Sequence, residues 1–63
     1  MNIIVIDSNG NKNFIKSISY KQHTFKTCSN ICDAKKYKSI YKVQSDLDFL
    51  SEFIEFGYNF YYN

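Results

Sequence analysis

The chain has 63 residues, with 8 Lys against 6 acidic residues, no Arg in the sequence, no Pro, and 44% hydrophobic and 19% aromatic content. That apolar share excludes a disordered segment, and the length allows one small domain that buries only about 60% of its unfolded surface. Cys28 and Cys32 would close too short a loop to staple so small a core, so a second subunit, giving a homodimer, is the expected staple.

Asn2 to Asp7 opens the chain with a β-branched run, Ile4 and Ile6 on one face and Ile3 and Val5 on the other. Apolar residues on both faces predict a central strand covered on both sides. Asp7 ends this run far short of the ~18 residues of a membrane span, so neither a signal peptide nor a membrane contact is expected. With two unpaired thiols, the expected compartment is the cytoplasm. Ser8-Asn9-Gly10-Asn11 carries the Asn-Gly hairpin signal, since both residues tolerate positive φ. A second strand, Asn13 to Tyr20, alternates Phe14, Lys16, Ile18 and Tyr20 on one face with Ile15, Ser17 and Ser19 on the other. Lys21-Gln22-His23 reads as a turn, and Thr24 to Thr27 as a third, more polar strand.

Ser29 or Asn30 can cap the next segment, and Ile31, Ala34 and Tyr37 or Lys38 keep an i, i+3 rhythm that predicts a two-turn helix over Ile31–Lys38. Ser39 to Gln44 suits a strand or a linker. Ser45 then reads as the N-cap of the main helix, with Asp46 and Asp48 favouring its positive end and Gly57 closing it at C′. On that helix Leu47, Leu50 and Ile54 share one arc, and Phe49, Phe53 and Phe56 the adjoining one. The apolar sector is wider than one sheet face requires, so the surplus is expected either to be covered by the short helix Ile31–Lys38 or to serve self-association or a partner through the Phe arc. Tyr58 to Tyr62 reads as a closing strand with Tyr58, Phe60 and Tyr62 on one face. The fold class is α+β: a small antiparallel β-meander or hairpin, a short helix, a longer amphipathic helix and a C-terminal strand.

The stretch Ser29-Asn30-Ile31-Cys32-Asp33-Ala34-Lys35-Lys36-Tyr37-Lys38-Ser39, leading to an amphipathic helix, a glycine and an aromatic strand, resembles short early proteins of phages that infect low-GC bacteria. Anti-CRISPR and other anti-defence proteins belong to that group. The bias toward Phe, Tyr, Ile, Asn and Lys, residues of AT-rich codons, agrees with such an origin. The resemblance covers the C-terminal two-thirds of the chain and is one of residue types, without a catalytic signature. It implies a class of proteins that bind and block a host or defence protein, and it carries over no residue role.

His23, Cys28, Cys32 and Asp33 form H-x4-C-x3-C-D. One Cys pair, one His and a carboxylate make a poor tetrahedral set, so no metal or cofactor is expected; Cys28 reads as a small apolar residue and Cys32 as a helix residue. A Cys–His nucleophile would need an orienting third group and an oxyanion loop, and the sequence supplies neither, so no catalytic residue is expected.

Charge divides the chain more sharply. Residues 1–44 hold all eight Lys against Asp7 and Asp33, whereas residues 45–63 hold Asp46, Asp48, Glu52 and Glu55 and no Lys. The plainest reading is that the halves attract each other within the fold. A second gives Asp48, Glu52 and Glu55, with Tyr58 and Tyr61, to a basic surface on a host or bacterial defence protein, itself one that handles nucleic acid. A third gives Lys35, Lys36, Lys38 and Lys42, with Tyr37 and Tyr41, to direct contact with single-stranded nucleic acid. The absence of Arg ranks this third reading behind the protein partner.

Overall fold

In a computed structural model describing all 63 residues, strands β1 (Ile3–Ile6), β2 (Lys12–Ser19), β3 (Thr24–Cys28) and β4 (Asn59–Tyr62) form one antiparallel sheet ordered β3-β2-β1-β4. The helix α1 (Ile40–Leu50) runs directly into a 3₁₀ segment, Ser51–Phe56, and together they cross one face of the sheet. The fold is α+β. No helix is long and apolar enough to cross a membrane.

The first hairpin forms where Asn-Gly predicts it. Gly10 sits at φ 84°, its N–H donates to the Asp7 carbonyl (3.0 Å), and the Asp7 N–H donates to the Asn11 carbonyl (3.1 Å). The Asp7 carboxylate accepts from the N–H groups of Asn9 and Asn11 at 2.9 and 3.0 Å. These bonds, Asn11's foremost, hold its pKa below the usual carboxylate value.

β1 is central, as its sequence predicts, but it is covered on one face only. Ile3 and Val5 are buried beneath the helical run, while Ile4 and Ile6 stay half-buried on the other side. The faces of β2 also differ from strict alternation. Ile15 pairs with Thr27 but Ser17 with Lys26, so Lys16 is an extra, bulged residue. One inserted residue reverses the phase, which puts Ile15 and Ile18 together in the core and turns Phe14 outward. After β2, His23 adopts φ 53°, the left-handed conformation that the glycine-free turn into β3 requires.

The segment from Ile31 to Lys38 is not a two-turn helix. A single 3₁₀ turn, Ile31–Asp33, is capped by Asn30, whose side chain accepts from the Cys32 N–H (2.9 Å). Beyond it the backbone bonds to the sheet: the Lys35 N–H donates to the Ile15 carbonyl (2.9 Å) and the Tyr37 N–H to the Met1 carbonyl (2.8 Å). Ala34 and Tyr37 are buried by that crossing, so their i, i+3 spacing marks an extended segment anchored at two points.

The main helix starts six residues before Ser45, at Ser39, whose hydroxyl accepts from the Tyr41 N–H (3.2 Å). Ser39 to Gln44, ambiguous in sequence, is thus the cap and first turn. Burial of Val43 against the sheet overrides the weak helix propensity of Ile40, Tyr41 and Val43. Ser45 lies exposed inside the helix, and Asp46 sits mid-helix, buried rather than at the dipole's positive end. At Ser51, whose Oγ donates to the Asp48 carbonyl (2.6 Å), the helix tightens to 3₁₀. Gly57 ends it at φ 96°, where a Cβ would come 2.8 Å from Ser8 Cβ. The glycine therefore serves both the left-handed cap and the close approach to the hairpin.

The change from 3.6 to 3.0 residues per turn redistributes the apolar arcs. Leu47 and Leu50 pack on the core, but Ile54 rotates outward. Phe53 turns inward to join Phe49, which lies within α1 ahead of the change. Phe53 meets Phe25 edge-on with ring centroids 4.9 Å apart, and Phe49 meets Tyr20 at 5.2 Å. Phe25 also touches Tyr58 (5.5 Å) and Phe60 (5.7 Å), so this end of the core is aromatic. Phe49–Phe53–Phe56 is thus no continuous surface, and only Phe56 remains for a second copy.

Candidate functional site

Asp46 gathers the first cluster of polar side chains. Its residue surface is 0% exposed, yet the site is shallow, roofed by Tyr20 and by the stems of Lys35 and Lys42. Oδ1 accepts from the Tyr20 hydroxyl and lies 3.3 Å from Lys42 Nζ. Oδ2 accepts from the Tyr37 hydroxyl and from Lys35 Nζ at 3.2 Å. Three hydrogen-bond donors and a second lysine ammonium thus surround one carboxylate. Lys42 Nζ also donates to the Tyr20 oxygen (3.0 Å) and stands 4.9 Å from that ring's centroid; Lys35 Nζ stands 5.2 Å from the Tyr37 centroid.

Titration follows from this geometry. Burial alone would raise the Asp46 pKa, but hydrogen bonds from Tyr20, Tyr37 and Lys35 outweigh it and hold the carboxyl below its usual value. Burial first, and then the bond to Asp46, push the Tyr37 hydroxyl far up. The bond to Tyr20, followed by that to Asp46, raises Lys42. The shifts of Asp46, Tyr37 and Lys42 all favour the carboxylate paired with an ammonium and a protonated hydroxyl.

The sequence pattern alone assigns these residues elsewhere. Lys35, Tyr37 and Lys42, half of the basic Lys/Tyr segment, are tied to Asp46, whereas Lys36, Lys38 and Tyr41 remain exposed, Tyr41 at 84%. The attraction between the basic and acidic parts of the chain is real here, but it passes through one aspartate. A signal for it does exist. With the helix started at Ile40, Asp46 falls on the Val43–Leu50 apolar stripe, four residues after Lys42.

The second cluster lies at the 3₁₀ end. Glu52 and Glu55 line a shallow groove with Phe53, Ile54 and Phe56; Ile54 is 52% and Phe56 68% exposed. Only His23 stands near a carboxylate there, its Nδ1 3.4 Å from Glu52 Oε1. Asp48 is exposed on the preceding turn. The other two residues expected on this face are elsewhere. Tyr58 packs half-buried against Phe25, and Tyr61, paired with Ile4, points from the opposite face of the sheet.

A cleft of about 360 Å³ opens between the first hairpin, β3 and Phe53. Asp7 borders it, but its carboxylate is engaged by the hairpin, so the cleft offers the neutral groups of Asn13, Thr24 and Thr27 beside Val5 and Phe25. His23, Cys28, Cys32 and Asp33 do not converge. His23 lies against Phe49 (5.7 Å between centroids), Cys28 Sγ donates to the Asn30 carbonyl (3.4 Å), and both thiols are free. Nowhere do three or more His, Cys, Asp or Glu side chains gather as metal ligands would.

Fold and surface together define a small α+β domain with one carboxylate locked inside and an acidic, partly apolar ridge outside. Comparison with protein-family models, curated proteins and solved structures finds no match.

Proposed function

We propose that the chain is a non-catalytic protein-binding module that inhibits a host or bacterial defence protein by steric occlusion. Exposure of Ile54 and Phe56 beside Glu52 and Glu55 carries this reading. An exposed aromatic and a branched aliphatic residue on a tight turn can fill a pocket, and the carboxylates around them exclude an acidic partner while favouring a basic one. A second copy presenting the same patch across a twofold axis would bring four glutamates together, so the partner that fits is a different protein with a basic rim. The resemblance to early phage proteins supports inhibition as the consequence of such binding.

The test uses the immobilised chain in lysate of a low-GC bacterium. Wild type is expected to retain a partner that both Phe56→Ala and the double reversal Glu52→Lys/Glu55→Lys lose, with circular dichroism showing all three folded. Retention that ignores these substitutions overturns the reading.

A further inference from the structure

We infer that the outer face of the sheet, the one opposite α1, binds single-stranded nucleic acid. The strand registers place its side chains in rows. Tyr61, Ile4, Phe14 and Cys28 form one row across all four strands, and Asn59, Ile6 and Lys12 the next. Beyond the first row, Ser17 pairs with Lys26 next to the bulged Lys16, with Ser19 and Thr24 paired after them. The helical run lies wholly on the other side, against Ile3, Val5, Ile15, Phe25 and Phe60. A 63-residue chain thus leaves an apolar and aromatic sheet face without a covering layer.

Its charge says what fits there. Lys12, Lys16 and Lys26 border the face, all three exposed and without a salt-bridge partner, and no carboxylate shares the rows. Two copies packed face to face would set like charges against each other, which argues against a symmetric dimer. An anionic chain is complementary, and the aromatic geometry selects which kind. With strands ~4.8 Å apart, Phe14 and Tyr61 stand ~10 Å from each other across Ile4, as two separate platforms for bases. Lys12 Nζ lies 5.8 Å from the Phe14 ring centroid, so a base stacked on Phe14 has a cation within reach of its phosphate. Ser17, Ser19 and Asn59 add neutral donors and acceptors around these platforms. This surface shares no residue with the Glu52–Glu55 ridge, and either can fail without the other.

The test is fluorescence anisotropy of labelled oligo(dT) and oligo(U) against increasing salt. Binding should weaken with a log–log slope of about −2, from roughly −0.7 for each of three lysine contacts. Lys12→Ala, Lys16→Ala and Lys26→Ala should each make the slope shallower by about one contact. Tyr61→Ala and Phe14→Leu, the latter keeping the apolar volume, should each lower affinity roughly tenfold by removing a stacking face. Absence of binding at low salt overturns the inference. So does binding lost on Lys36→Ala/Lys38→Ala and indifferent to the sheet variants. Displacement by poly-glutamate at equal charge, with Tyr61→Ala and Phe14→Leu unchanged, also overturns it and assigns the face to an acidic protein.

Discussion

At the α1 end of the helical run, a carboxylate, two lysines and two tyrosines close on one another around Asp46, while at the 3₁₀ end two glutamates, an isoleucine and a phenylalanine face solvent. Both ends carry carboxylates. The difference lies in the satisfaction of each group by its own chain. A buried carboxylate with three hydrogen-bond donors and a second lysine beside it has little left to offer a partner, and removing it would leave the buried Tyr37 hydroxyl without its acceptor. Exposed carboxylates beside exposed apolar groups, with only His23 near Glu52, keep most of their bonding capacity available. The first arrangement builds the fold, and the second is open to recognition.

The contrast is broken most severely at Asp46. Asp46→Ala strands the Tyr37 hydroxyl and removes several charged hydrogen bonds, a loss of about 2–4 kcal/mol. A domain of this length has roughly 3–9 kcal/mol in total, so thermal melts should show a large drop in Tm or an unfolded chain. Phe53 and Phe56, three residues apart, sharpen the comparison. Phe53→Ala, which opens a gap beside Phe25, should cost about 2–3 kcal/mol in urea titration, less than a fully buried Phe.

Gly57→Ala is next, at about 1–3 kcal/mol in the same titration, because the left-handed backbone and the 2.8 Å approach to Ser8 both oppose a Cβ.

The same network sets the pH range. Asp46 and Asp7 have lowered folded-state pKa values, so the stability they add is complete above about pH 4 and lost as pH falls through those values. Tyr37 and Lys42 are raised, so theirs is complete below about pH 10 and lost as pH rises through the folded values. Tm measured by circular dichroism should be flat between these limits and fall on both sides. Asp46→Asn should flatten the acid limb and Tyr37→Phe the alkaline one. The smallest effect is expected from Phe56→Ala, within about 0.5 kcal/mol of wild type, because that ring is 68% exposed and buries little. A large destabilisation there would show that the 3₁₀ end belongs to the fold's support after all.

Local chemistry was enough to place the Asp7–Asn11 hairpin, the glycine stop at position 57, the central position of Ile3–Ile6 and the closing aromatic strand, since each depends on a residue's own backbone freedom or on unbroken patterning. Reading the chain as α+β needed nothing further. Only the tertiary structure decided the rest. Lys16 became a bulge because β3 pairs around it, and that one residue determined which β2 side chains entered the core. Ala34 and Tyr37 sit on an extended crossing because Ile15 and Met1 carbonyls accept their segment's N–H groups. Ser39 outcompeted Ser45 as the cap because burying Val43 outweighs β-branched propensity. Asp46 became a hub because Tyr20, Lys35 and Tyr37 reach it from separate parts of the chain. Each of these outcomes turns on a partner far away in sequence, and short-range patterns carry no record of such partners.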